Sequence, residues 1–309
     1  MAVRPKPKEV LYKCRALTDV WTGDAEGKGG RLITTGLLGS IRWWFEVLVR
    51  GLGGTACDPS QHQCRDRDHC VVCELFGCTG WARKFRFEVL DADKQPKQDQ
   101  IRAGNTFYFC FVPLRHICEE EWALLDLTLR LIAGYGALGG RTVFKPSDER
   151  GREHKQHHWD YGLIKLEKIL VVYIDKYPAH KPSKATLRSY LTKYKDTMTK
   201  SYQEKSSWAS LENFWYVENE YLSRKSQTES TFNQIIGRPE PKNHSSRCDS
   251  WLAGYRAKPH REPESKKVFS FKYGRPCIFG FKLEAVRNKL KNIGITKIQT
   301  GEDILKKIL

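Results

Sequence analysis

Between Glu9 and Val172 the apolar residues change their spacing in an order that leaves few folds open. Glu9–Ala16 is rich in β-branched and aromatic residues and reads as a strand. Apolar residues then recur at Leu37, Ile41, Trp44, Leu48 and Leu52, the spacing of one helical face, and Gly51, Gly53 and Gly54 end that helix. Residues 84–90 alternate polar with apolar, as a half-buried strand does, and residues 106–112 form a second, nearly all-apolar strand. Glu119, Glu120 and Glu121 place acid where a helix dipole favours it. That helix continues through Trp122, Leu125, Leu129 and Ile132 to Gly134-Tyr-Gly136, with apolar residues on its other faces as well. A strand over residues 161–172 completes the order β-α-β-β-α-β, the ferredoxin-like unit, whose four-stranded sheet also serves RNA-binding domains.

From about residue 175 to 203 the composition turns basic and polar, and the expected boundary lies there. The fold class expected is α+β with two ferredoxin-like (RRM-like) domains, 1–175 and 176–309, the first carrying a Cys-rich insertion at 55–80. In the second half, residues 267–273 and 277–281 read as paired strands around Gly274-Arg275-Pro276, with a helix over 283–292.

Charge narrows the partner. Lys and Arg number 53 against 36 Asp and Glu, a formal net charge of +17. The excess is spread along the chain rather than gathered on one amphipathic helix, so a nucleic acid suits it better than an anionic membrane. The N-terminus lacks an apolar signal core and no apolar run approaches a membrane span, so the reading is a soluble, cytoplasmic chain.

Five of the ten cysteines, Cys57, Cys64, Cys70, Cys73 and Cys78, fall within one short stretch that also holds His62 and His69. Cys70-x-x-Cys73 has metal-knuckle spacing, and a structural zinc would let a short, poorly hydrophobic insertion fold. The expected ligands are Cys57, Cys64, Cys70 and Cys73, with Cys78 as the replacement; free buried thiols are the alternative.

The first helix opens on Thr34-Thr-Gly-Leu-Leu-Gly-Ser-Ile-Arg-Trp-Trp44. Thr34 and Thr35 stand where hydroxyls cap a helix, Gly36 and Gly39 allow close approach, and free N–H groups at a helix start attract phosphate. Arg42, one turn in, adds a charged donor. Thr35, Gly36, Gly39, Ser40 and Arg42 are therefore candidate phosphate or RNA contacts, the alternative being an ordinary capped helix with Trp43 and Trp44 in the core. Further on, Leu75-Phe-Gly77 reads as a tight turn, after which Arg83 and Lys84 lead into a strand and line one edge of a sheet.

These segments occur together in order: a first strand, a Gly-Leu-x-Gly-x-x-Arg-Trp-Trp helix start, a Cys-x-x-Cys-x-Leu-Phe-Gly turn followed by Ala-Arg-x-Phe, and a Gly-rich loop after the second helix. As a set they resemble the RAMP superfamily of CRISPR-associated proteins. Within it, Trp43-Trp44 and Phe269-Ser-Phe-Lys-Tyr-Gly-Arg275 are most similar to the family of the first subunit of the Cmr module, the type III-B effector. The resemblance implies a non-catalytic subunit that assembles with other Cmr/RAMP subunits on a CRISPR guide RNA. It also implies that the subunit caps the complex near the guide's 3′ end and helps engage target RNA, with no small-molecule substrate. Asp19 and Asp24 lie in the first loop, and nothing in the sequence makes them catalysts.

The Gly-rich loop keeps Gly139-Gly-Arg-Thr142, but Val143-Phe-Lys-Pro146 replaces the family's closing glycines. Gly139, Gly140, Arg141 and Lys145 are the RNA contacts expected there, and a plain helix-ending turn is the alternative. A late basic series, Arg238, Lys242, Arg247, Arg256, Lys258 and Arg261 among Trp251 and Tyr255, suits single-stranded RNA, as it equally suits an exposed charged loop. Lys258, Lys272 and Arg275 complete the contact set. His154, His157 and His158, beside Arg150, Arg152 and Lys155, leave open a second function: a guide-processing endoribonuclease with histidine acid–base chemistry.

Overall fold

The computed structural model describes residues 8–24, 26–57, 64–142, 147, 149–172, 174, 177–178, 182–194, 208–218, 220–223, 234–235, 267–273, 277–279 and 283–309. Lys145, Lys258, Arg275, His62 and the stretch from Arg238 to Arg261 lie outside them. The chain divides into two compact units, one of residues 1–140, 162–211 and 305–309, the other of residues 141–161 and 212–304.

The first unit contains β1 (Glu9–Ala16), α1 (Thr34–Gly51), α2 (Val71–Phe76), β2 (Phe85–Leu90), β3 (Thr106–Pro113), α3 (Glu119–Tyr135), β4 (Ile164–Val172) and α4 (Lys184–Thr192). Its sheet has the order β2-β3-β1-β4, and every neighbouring pair is antiparallel. The β-α-β-β-α-β order read from the spacing is thus present, with α2 added in the cysteine-rich stretch.

Alternation explains the sheet. Val10, Tyr12 and Cys14 of β1, Phe85, Phe87 and Val89 of β2, and Phe107, Phe109 and Phe111 of β3 are all buried. The rings of Phe45, Phe76, Phe85 and Phe111 follow one another edge to face, 5.1–5.5 Å apart, and carry the sheet's core to α1 and α2. Each fully buried phenylalanine is worth about 2–3 kcal/mol relative to exposure. The other face carries a smaller cluster of Leu11, Leu90, Tyr108 and Cys110, and also the Lys13–Glu167 pair at 3.3 Å.

The long helix α3 is buried on nearly every side, as its apolar faces predict. At its start Glu121 accepts a hydrogen bond from the Cys118 N–H at 3.0 Å, closing one end of the dipole. The passage at 184–192, assigned from composition to the second domain, is a helix of the first unit. Ser183 caps it by accepting from the Thr186 N–H, and Leu187, Tyr190 and Leu191 form a buried stripe at helical spacing.

The second unit contains β5 (Phe214–Val217), β6 (Val268–Phe269), β7 (Cys277–Phe279), α5 (Leu283–Asn292) and β8 (Ile298–Thr300), after which α6 (Gly301–Ile308) ends the described chain. Its sheet has the order β6-β7-β5-β8, again antiparallel throughout. Taken in chain order, this is the strand arrangement of the first unit repeated. Trp215, Val217, Leu222, Ile235, Val268, Val286, Leu290 and Ile295 form its core. Among the described residues, no helix is long and apolar enough to cross a membrane.

Candidate functional site

Cys57 and Cys64 lie between the end of α1 at Gly51 and α2, which begins just after Cys70 and holds Cys73 in its first turn. Helical spacing puts residues i and i+3 on one side, so Cys70 and Cys73 converge. The sulfur atoms of Cys57, Cys64, Cys70 and Cys73 lie within 4.8 Å of one another, and all four residues are buried. A tetrahedral metal with sulfur at about 2.3 Å requires sulfurs about 3.8 Å apart. The donor set and its size therefore fit a closed four-thiolate site able to hold a metal ion.

The shell around the sulfurs is consistent with that use. The Cys57 N–H donates to the Cys70 sulfur at 3.5 Å, and the Cys70 N–H to the Cys64 sulfur at 3.3 Å. Hydrogen bonds from Cys57 and its fellow thiols hold Cys70 and Cys64 below the ordinary thiol range. Cys78 is half-buried, donates a hydrogen bond to the Thr79 carbonyl at 3.7 Å, and stands outside the group of four. His69 has both ring nitrogens engaged, Nε2 at 2.6 Å from Glu74 and Nδ1 at 2.5 Å from the Asp66 carbonyl, so it supports the turn instead of ligating.

Two cations expected at an RNA surface are placed inward. Arg42 donates to Glu46 at 3.1 Å, to the Gly77 carbonyl at 2.8 Å, and to the sulfurs of Cys73 and Cys57 at 3.2 and 3.6 Å. One helical turn from the start carries its side chain round to the cysteine turn, away from the role of an open phosphate donor. Gly77 ends α2 with φ of 86°, and a Cβ there would lie 2.8 Å from the Arg83 nitrogen, so glycine is required. Lys84 reaches Glu74 at 2.5 Å and Glu121 at 2.8 Å, and Glu121 is fully buried. Burial disfavours the Lys84 ammonium, but the hydrogen bonds it donates to Glu121 and Glu74 outweigh this and raise its pKa. Arg83, its neighbour, is exposed.

The start of α1 lacks the side-chain cap expected of it. Ile33 occupies the cap position and no side chain caps the helix, because Thr34 and Thr35 are already helical. Thr22 anchors the residue before the helix, accepting from the Ile33 N–H at 2.9 Å and donating to the Arg31 carbonyl at 3.1 Å. Thr35, Gly36 and Gly39 are exposed, and Ser40 shares the face of Gly36 one turn later. Ser40 Oγ accepts from the Gly139 N–H at 3.1 Å, while the Gly140 N–H donates to the Trp21 carbonyl at 2.8 Å. Gly139 has φ of 80°, and a Cβ there would lie 2.5 Å from the Trp21 carbonyl oxygen. The helix start, the loop through Trp21 and the Gly139-Gly140 turn are thereby tied into one surface.

In the second unit Arg141 donates to the Gln156 side chain at 3.2 Å, and Lys272 is exposed. His158 is buried, with the His157 ring 4.1 Å from it, while His154 is exposed. The first-loop aspartates have structural duties. Asp19 accepts from the Ala103 N–H at 2.8 Å and pairs with Arg102, and Asp24 accepts from the Lys28 N–H at 2.7 Å.

The family model of the RAMP superfamily matches residues 13–144, from within β1 through the start of α1 and the four cysteines to the Gly139-Gly140 turn. Similar solved structures include Cmr1 from Pyrococcus furiosus in its apo form, at 12% identity over 88% of each chain with a TM-score of 0.41. They also include the Csm3–Csm4 subcomplex of the type III-A CRISPR-Cas interference complex, at 18% identity over 54% of this chain and 79% of that one, with a TM-score of 0.29. No curated protein matches by sequence.

Proposed function

We propose, from the match of residues 13–144 to the RAMP-superfamily model, that the chain belongs to that superfamily and is a non-catalytic, RNA-binding subunit of a type III CRISPR effector complex in the cytoplasm. Its partners are a guide RNA, target RNA and other RAMP-type subunits, and its place is the cap near the guide's 3′ end, where it helps engage target RNA. Both units are read as ferredoxin-like, a reading supported by the repeated strand order of the two sheets. The four-cysteine centre is read as structural zinc, which when bound fixes α2 and the turn at Gly77 onto α1.

The observation that carries the proposal is the surface where α1 begins. Thr34 and Thr35 at the helix start have no N–H partner among the described residues, and the Gly139-Gly140 turn is joined to the same face through Ser40. Unpaired N–H groups at a helix start attract phosphate without reading sequence. The RNA contacts proposed are Thr35, Gly36, Gly39, Ser40, Arg83, Gly139, Gly140, Arg141 and Lys272. Base pairing between guide and target would supply the sequence information while the protein reads backbone geometry. The burial of His158 weighs against a histidine ribonuclease.

Fluorescence anisotropy with labelled guide RNA, alone and paired to target, tests this. The expected result is affinity that falls linearly in log–log form as salt rises, with Arg141→Ala weakening all sequences alike. Absence of RNA binding at low salt, with and without partner subunits, overturns it, as does metal-independent RNA cleavage abolished by His157→Ala.

A further inference from the structure

Among the described residues, two large aromatic side chains are strongly exposed: Trp159, at 45%, and Tyr273, at 63%. They lie more than a hundred positions apart in sequence but within the same unit, and Asp160 draws their segments together by accepting a hydrogen bond from the Tyr273 N–H at 3.4 Å.

We infer that Trp159 and Tyr273 form a stacking platform for the bases of an unpaired RNA strand. The inference rests on the RNA-binding reading above and adds to it a second place of contact with a different chemistry. Trp159 is held in position: its indole N–H donates to the Glu153 carbonyl at 2.6 Å and its backbone N–H to the Gln156 carbonyl at 3.2 Å. A ring fixed in this way loses little freedom when a base stacks on it. Lys272, next to Tyr273, and Lys155 are exposed and can neutralise phosphates on either side of a stacked base. The nearby acids are already engaged. Asp160 is committed to the Tyr273 N–H, Glu153 accepts from the Gly151 N–H at 2.7 Å, and Glu149 pairs with Arg152. Exposed rings beside exposed cations fit a base-and-phosphate chain better than an apolar protein surface, which would have to bury those cations.

The test compares a labelled single-stranded oligouridylate with a blunt RNA duplex of the same length, using the full chain and its Trp159→Ala, Tyr273→Ala and Trp159→Phe variants. Each alanine variant is expected to weaken single-strand binding by roughly five- to a hundredfold while leaving duplex affinity unchanged, and Trp159→Phe to retain most of the parent's affinity. Equal loss for both RNAs, or no loss for either, overturns the platform. So does a loss of self-association in Trp159→Ala with RNA binding intact, which would assign the rings to a second copy of the chain. If the parent binds neither RNA, the RNA-binding reading fails with it; if the parent binds and the variants match it, the platform alone fails. Circular dichroism of each variant separates these outcomes from misfolding.

Discussion

The guanidinium of Arg42 lies 3.2 Å from the sulfur of Cys73 and 3.6 Å from that of Cys57. Four thiolates around one divalent ion carry a net double negative charge, which is costly to bury without a counter-charge. Burial disfavours the guanidinium as well, but the neighbouring Cys73, Glu46 and Cys57 outweigh it and raise its pKa. Arg42→Ala should therefore loosen metal binding by about 10- to 100-fold, the usual effect of removing an outer partner of a metal ligand. Arg42→Lys should lose less, because it keeps the charge but not the fork that also reaches Glu46 and Gly77. Zinc transfer to a competing chromogenic chelator measures both.

The ligand set makes a sharper distinction. Cys70→Ser is expected to abolish bound zinc and lower the melting temperature, whereas Cys78→Ser should do neither, since Cys78 stands outside the four converging sulfurs. Metal analysis of the purified proteins, with melting curves before and after chelator treatment, decides the matter. Retention of a full equivalent of zinc by Cys70→Ser would contradict the assignment.

Lys84 is the counter-ion of two carboxylates that have little water. Its side chain is 13% exposed, and it bridges Glu74 and the fully buried Glu121, which also accepts from Tyr190 at 3.0 Å. Lys84→Met leaves the fully buried Glu121 without a cation and Glu74 with His69 alone, and should cost about 3–5 kcal/mol of stability. Adding Glu121→Gln should restore part of that loss, because the neutral amide no longer needs a cation. Urea unfolding of the two variants gives the comparison, and a single variant as stable as the parent would refute the buried-triad account.

The strands and long helices were legible because burial writes itself into composition and spacing: the alternation of β2, the nearly all-apolar run of β3 and the apolar faces of α3 were each readable in the sequence. The convergence of Cys57, Cys64, Cys70 and Cys73 was legible from clustering and the Cys70-x-x-Cys73 interval. What sequence hides is where a charge is spent. Arg42 and Lys84 sit beside glycine turns and strands as RNA-contacting cations would, yet their partners at Gly77 and Glu121 are 35 and 37 positions away. The missing cap of α1 was hidden likewise, since Thr34 and Thr35 are drawn into the helix while Thr22 reaches Ile33 across a loop. In α4, cationic composition obscured the stripe of Leu187, Tyr190 and Leu191, three residues too few to stand out against it.

Asp160 joins the two segments that present Trp159 and Tyr273, and it should make stability depend on pH in the reverse of the usual carboxylate sense. Burial pushes its carboxyl up to about 6, against the hydrogen bonds from the Lys272 and Tyr273 N–H groups and the Lys272 charge, which pull it down. The unfolded value is about 3.9. Between those values the folded chain holds a proton that the unfolded chain has released, so stability is highest below about pH 4 and is lost as pH rises through about 6. The full effect is at most about 3 kcal/mol, reduced by solvent at the partly exposed edge of the side chain. Asp160→Asn removes the ionisation and keeps an acceptor for the Tyr273 N–H. The variant should match the parent at about pH 4 and exceed it in stability at about pH 7.5, as read from urea midpoints at the two pH values. A variant less stable than the parent at neutral pH would show that the N–H groups and Lys272 outweigh burial and that the carboxylate is the form the fold prefers.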